Sequence, residues 1–151
     1  MREQVFSRKP SGKEERYVPT ADELQKILSD RATSVLLVQS AERFAQSLLA
    51  QNLRMDQVRS VFDEIKKIEN LWLWQDKEEE ALHRLHLLKP RLAARVRRVR
   101  GAELLYELIR LCADQIQKIP EENRKEAFVR FAEYMEAVVA YHKFYGKEEE
   151  G

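Results

Sequence analysis

Three histidines, one cysteine and clustered carboxylates are the residues whose types could support metal or acid–base chemistry, so their spacing matters first. Glu80-Ala-Leu-His83 is an E-x-x-H pair one helical turn apart, with His86 one turn further on. Carboxylate-bridged di-iron bundles need two such pairs on separate helices and two further inward glutamates. Only one pair exists, because the remaining histidine, His142, has Val139 three residues before it. Zinc held by His83 and His86 would lack its other ligands, since Cys112 is the only thiol. Both histidines therefore read as surface or rim residues, and no metal or other cofactor is expected. Cys112 and His142 fall on apolar helical stripes, where a thiol behaves as a small hydrophobe and a histidine is a satisfied core residue. No glycine-rich loop cradles phosphate, because Gly101 and Gly146 stand at helix stops. No catalytic residue is expected.

The basic residues carry more information. From His83 to Gly101 the chain holds Arg84, Lys89, Arg91, Arg95, Arg97, Arg98 and Arg100, with no acid. On a helix, Arg84, Arg91, Arg95 and Arg98 share one stripe, at offsets of seven, four and three. Leu85, Leu92, Val96 and Val99 follow the same offsets one residue later, about 100° around the axis, so one face packs while an adjacent arginine ridge stays exposed. Helix electrostatics accounts for part of this, with Asp76, Glu78, Glu79 and Glu80 at the start and arginines at the end. That effect fades within the last turn, so it does not explain Arg84, Lys89, Arg91 and Arg95. A guanidinium fork binds phosphate bidentately, and such a ridge suits successive phosphates of a nucleic acid. A weaker group, Arg54, Arg59, Lys66 and Lys67, is diluted by Asp56, Asp63 and Glu64. Trp72, Trp74, Tyr141 and Tyr145 offer faces on which bases stack, although helical spacing assigns Trp72 and Tyr145 to the core.

Helices must position these residues. Thr20-Ala-Asp-Glu23 is a capping box that opens a short helix through Leu24, Ile27 and Leu28. Asp30 caps a second helix, carrying Val35, Val38, Ala41, Phe44, Ala45, Leu48 and Leu49 at three–four spacing, which Asn52 ends. A third runs from about Met55 to Trp74, with Val58, Val61, Phe62, Ile65, Ile68 and Trp72 on one face. A fourth runs from about Asp76 to Val99, with Pro90 bending or splitting it near Leu88. The fifth spans about Ala102 to Lys118 and buries Leu104, Leu105, Leu108, Ile109, Cys112 and Ile116. The last starts at Pro120, carries Phe128, Phe131, Met135, Val138, His142 and Tyr145, and stops at Gly146.

The expected architecture is all-α: a compact, single-domain bundle of five to six helices. A flexible basic arm, 1–19, precedes the bundle, 20–146, and an acidic tail, 147–151, follows it. Composition agrees, with 44% hydrophobic residues for a core and only Gly 4 and Pro 4, against a turn-rich β architecture. Lys+Arg 27 against Asp+Glu 26 excludes a binder that works through bulk positive charge. A single cysteine closes no intramolecular disulfide, and no apolar run approaches a membrane span, so a cytoplasmic protein without a membrane is expected.

Three segments in order carry a resemblance. Leu53-Arg-Met-Asp-Gln57-Val58-Arg59 precedes an amphipathic helix, Leu87-Leu88-Lys89-Pro90-Arg91-Leu92-Ala93 sits mid-chain, and Glu136-Ala-Val-Val-Ala-Tyr141-His142-Lys143-Phe144-Tyr145-Gly146 closes the last helix. Together they resemble the small helical subunit of the type III-A CRISPR–Cas effector, the Csm interference complex, over roughly Thr20 to Gly146. Members of that family more often have Thr or Ser where Arg54 and Met55 stand, and the run Arg95 to Arg100 is heavier here. The resemblance implies a non-catalytic, RNA-contacting subunit whose copies stack as a filament lining the channel in which guide and target RNA pair. Its implied partners are guide and target RNA, other copies of itself, the backbone subunits and the large palm-domain subunit. It assigns target cleavage to the backbone subunit, and DNA cleavage and cyclic oligoadenylate synthesis to the palm-domain subunit. By position, Arg59 and the Lys89-Pro90-Arg91 segment match the family's basic surface. The expected RNA contacts are Arg54, Arg59, Lys89, Arg91, Arg95 and Arg98, with Arg97 and Arg100 next in line. Two rivals stand beside this reading: a helix-turn-helix DNA-binding regulator, suggested by the segment around Asn52–Gln57, and a protein–protein scaffold bundle without nucleic acid.

Overall fold

A computed structural model describes residues 16–29 and 33–146. Most of the expected arm, the Asp30 cap and the acidic tail lie outside the described residues. Six helices follow in order: α1 (Ala21–Ser29), α2 (Ser34–Ala50), α3 (Met55–Leu73), α4 (Glu78–Val96), α5 (Ala102–Lys118) and α6 (Glu121–Tyr145). Among the described residues there is no strand. The all-α, single-domain expectation is met.

Local chemistry explains most of the boundaries. The capping box at the start of α1 forms in both directions: the Glu23 amide donates to the Thr20 hydroxyl at 3.1 Å, and the Thr20 amide donates to Glu23 Oε1 at 2.9 Å. Gly101 stops the chain after α4 with φ +90°, a left-handed conformation that a Cβ disfavours. A Cβ there would also lie 3.1 Å from Gln51 Cβ and 3.2 Å from Leu53 Cβ. That close approach seats the 97–101 turn directly on the turn between α2 and α3.

The long α6 is the spine of the core. Phe128, Phe131, Tyr134, Met135 and Val138 are fully buried against Phe44 of α2 and Trp72 of α3. Burying each of these aromatic side chains contributes roughly 1.5–3 kcal/mol in transfer free energy. The buried Tyr134 hydroxyl is satisfied by Ser40 Oγ at 2.9 Å, which also shares a 2.8 Å hydrogen bond with the Tyr17 hydroxyl. Tyr17 and Val18 pack on this core, the Tyr17 amide donates to Ser47 Oγ at 2.9 Å, and Arg43 stacks over the Tyr17 ring. Burial holds the Tyr17 phenol up at about 12.

Some expectations are corrected. On α2 the buried face centres on Ala41, Phe44, Ala45 and Leu48, and Val35 lies about 120° around the axis from Ala41; Val35 and Val38 are accordingly exposed. Pro90 does not split α4, which is one continuous helix. The helix ends at Val96 rather than near Val99, because the Arg98 and Val99 amides both turn back to the Arg95 carbonyl. Tyr145 is not a core residue: it is 38% exposed and its hydroxyl donates to a carboxylate oxygen of Glu42. Trp72, by contrast, is buried as expected.

Candidate nucleic-acid interface

The residues first considered for catalysis or metal binding are spread over three helices, with Glu80, His83 and His86 on α4, Cys112 on α5 and His142 on α6. Cys112 is fully buried, and burial pushes its thiol well above the ordinary range, away from the reactive thiolate. His142 is buried and its Nε2 lies 2.8 Å from the Leu53 carbonyl, so it ties α6 to the turn between α2 and α3. His86 pairs with Gln117 across to α5 at 3.0 Å, while His83 faces solvent. Among the described residues, no group of three or more His, Cys, Asp or Glu is placed to hold a metal ion.

Some of the basic residues, by contrast, gather at one end of the bundle. α3 and α4 are joined by a short turn and run antiparallel, so the start of α3 and the end of α4 share one end of the bundle. Gly101 packed on Gln51 and Leu53 brings the 97–101 turn beside Arg54. Arg91 and Arg95 occupy the last two turns of α4, and Arg97, Arg98 and Arg100 project from the turn that follows, all three exposed. Arg59 is exposed on α3, whereas Lys89, half-buried on α4, lies about 160° around the axis from Arg91 and so off the arginine stripe. None of Arg59, Lys89, Arg97, Arg98 and Arg100 has an ion-pair partner among the described residues.

The ridge is not uniform. Arg84 Nε donates to Glu64 Oε2 at 3.2 Å, and Arg91 Nη1 lies 3.8 Å from the same oxygen. Arg54, itself exposed, lies 3.8 Å from Asp56 and gives α3 no side-chain cap, as expected from the missing Thr or Ser. Lys66 pairs with Glu69 at 2.7 Å, which removes it from the free cations. Because α4 stops at Val96, Arg98 leaves the helical ridge and stands on the following turn instead.

Arg95 is the most informative member. Its Nη1 is shielded from solvent and has no hydrogen-bond partner among the described residues. On the facing helix, Gln57 Oε1 is orphaned in the same way. Leaving a buried donor of a charged group unpaired costs on the order of 1–3 kcal/mol.

The sequence did not reveal Glu64 as a partner of the ridge. The signal lies in tertiary register: an acid one helix away has no fixed sequence offset from the arginines it meets. The two best-defined surface grooves lie elsewhere, one between α1, α5 and the start of α6, the other around Leu37, Leu73 and Val129. Neither is lined by a residue of the ridge.

Fold and flank define a class: a small all-α bundle with one strongly basic side and no membrane-spanning helix among its described residues. A family model described as Csm2 Type III-A matches residues 31–148, well over half of the chain. The chain belongs to the Csm2 Type III-A family and is a small subunit of the type III-A CRISPR complex. No curated protein and no solved structure matches it.

Proposed function

We propose that the chain is a non-catalytic, RNA-binding subunit of this complex, holding guide–target RNA by its phosphates through the α3–α4 basic flank. The observation that carries this reading is the run Arg91 to Arg100: no acid interrupts it, and most of its arginines lack an ion-pair partner among the described residues. Arg54, Arg59, Lys89, Arg91, Arg95 and Arg98 act as positioning cations, because phosphate contacts fix register without reading sequence. Sequence is read by pairing between guide and target, as in other RNA-guided effectors. Family membership supports the protein partners: other copies stacked as a filament, the backbone subunits and the large palm-domain subunit. Exposed apolar residues such as Trp74, which is 79% exposed, supply surface for such contacts. The setting is the cytoplasm.

The test compares binding of the full chain to single-stranded RNA, guide–target RNA duplex and DNA duplex at one salt concentration. RNA should bind irrespective of sequence, and replacing Arg91, Arg95 and Arg98 by Ala should weaken it uniformly while leaving the helical content unchanged. Preference for one DNA duplex sequence would instead favour a regulator.

A further inference from the structure

We infer that Glu64 is a built-in attenuator of the basic flank, a positioning residue that holds Arg84 and Arg91 on one carboxylate and keeps RNA affinity below what the ridge alone would give. The inference rests on the flank being the RNA surface, and it goes beyond that reading by naming the residue that sets its strength.

The geometry points to competition. Glu64 comes from α3, the two arginines from α4, two helical turns apart, and both approach the same oxygen, Oε2. Among the described residues, Glu64 is the only acid within ion-pair distance of any basic residue from Arg84 to Arg100. Its side chain is only 13% exposed, so solvent screens its charge poorly. The two contacts differ in kind. Arg84 is 35% exposed and makes a directed hydrogen bond, which marks it as the structural partner. Arg91 is 55% exposed and stands 3.8 Å away, beyond hydrogen-bond distance, so most of its donors remain free for another acceptor. A phosphate on Arg91 therefore meets an oxygen anion already beside it. The carboxylate repels the incoming phosphate and draws Arg91 back toward α3. It also aims the arginine, limiting the conformations from which the phosphate is met.

Glu64→Gln removes the charge while keeping an oxygen that Arg84 can still use. Asp63→Asn is the matched control: it changes net charge equally, from an exposed neighbouring position with no ion pair among the described residues. Binding of a fluorescent single-stranded RNA by the full chain is measured across a salt series, with circular dichroism reporting the fold. Glu64→Gln should bind on the order of five-fold tighter, for a unit charge removed about 8 Å from a phosphate at an effective dielectric midway between water and the protein surface. Its salt slope should steepen by up to about 0.7, while Asp63→Asn should match the wild type. Unchanged or weaker binding by folded Glu64→Gln, or equal tightening by Asp63→Asn, would overturn the inference while leaving RNA binding itself in place. Should Glu64→Gln unfold, Arg84→Met is the second arm. It leaves Glu64 to Arg91 alone and should weaken RNA binding several-fold, and no change there contradicts the attenuator. A wild-type chain that binds no RNA at any salt overturns both the flank and its attenuator.

Discussion

The two ends of the bundle are made from similar parts and carry opposite charge. At one end, the 51–54 and 97–101 turns meet through Gly101, and the last turn of α6 joins them through His142 on the Leu53 carbonyl. Arg54, Arg97, Arg98, Arg100 and Lys143 project there, all exposed. At the other end, the 74–77 turn and the start of α6 are drawn together by Arg124, which donates to the Ile116 and Ile119 carbonyls and lies 3.9 Å from Glu78. Asp76, Glu79, Glu80, Glu121 and Glu122 are exposed there. Acids in the first turns of α4 and α6 suit those helix dipoles and need no further explanation. At the basic end, the dipole explains the arginines closest to the end of α4 but not Arg54, which stands at the positive start of α3. Asp56, 3.8 Å away, offsets that placement only in part, because both side chains are largely exposed.

The largest contrast should come from charge removal at each end. Replacing Arg91, Arg95 and Arg98 by Ala should weaken RNA binding on the order of 100-fold, at about 1 kcal/mol for each lost charge-assisted contact. Replacing Glu78, Glu79 and Glu80 by Gln should leave RNA affinity within about two-fold, since distant exposed charges are screened over a Debye length. A fluorescence-anisotropy titration of both triple variants checks this pair.

Next in size is the backbone at the basic end. Gly101→Ala places a Cβ at φ +90° within 3.2 Å of Leu53 Cβ, and should cost about 1–3 kcal/mol. A thermal melt should show the loss, and RNA affinity should fall with it, because the turn carrying Arg97 to Arg100 loses its seat beside Arg54. His142→Ala should act on the same junction, costing roughly 1–3 kcal/mol by orphaning the buried Leu53 carbonyl.

The smallest effects come from a matched pair of helix starts. Arg54 and Lys77 stand at the N-caps of α3 and α4, at opposite ends, and neither makes a side-chain cap hydrogen bond. Arg54→Ser and Lys77→Ser should each add about 0.5–1 kcal/mol of stability. Only Arg54→Ser should weaken RNA binding. Urea melts and binding on the same two samples separate the cap from the cation.

Much of this was legible in the sequence because it depends on local rules. The Ala102–Lys118 helix, the capping box at Thr20 and Glu23, the stop at Gly101 and the core faces of α3 and α5 all follow from residues within a few positions of one another. Val35 and Val38 misled because their three-residue spacing continues the apolar pattern while drifting off the face that α6 covers. Tyr145 misled because its ring fits the stripe, while its hydroxyl finds Glu42 at the exposed edge. The composition and place of the ridge were visible as an acid-free stretch. Its division into held and free arginines was not, because Glu64 reaches Arg84 and Arg91 through the packing of α3 on α4.

The most direct measurement is the salt dependence of RNA binding by the full chain and by the Arg91, Arg95 and Arg98 triple alanine variant. The wild type should lose affinity linearly in log salt, and the variant's slope should be flatter by up to about two units, at roughly 0.7 for each single-strand phosphate contact. Identical slopes in two folded proteins would show that these arginines do not hold the phosphates.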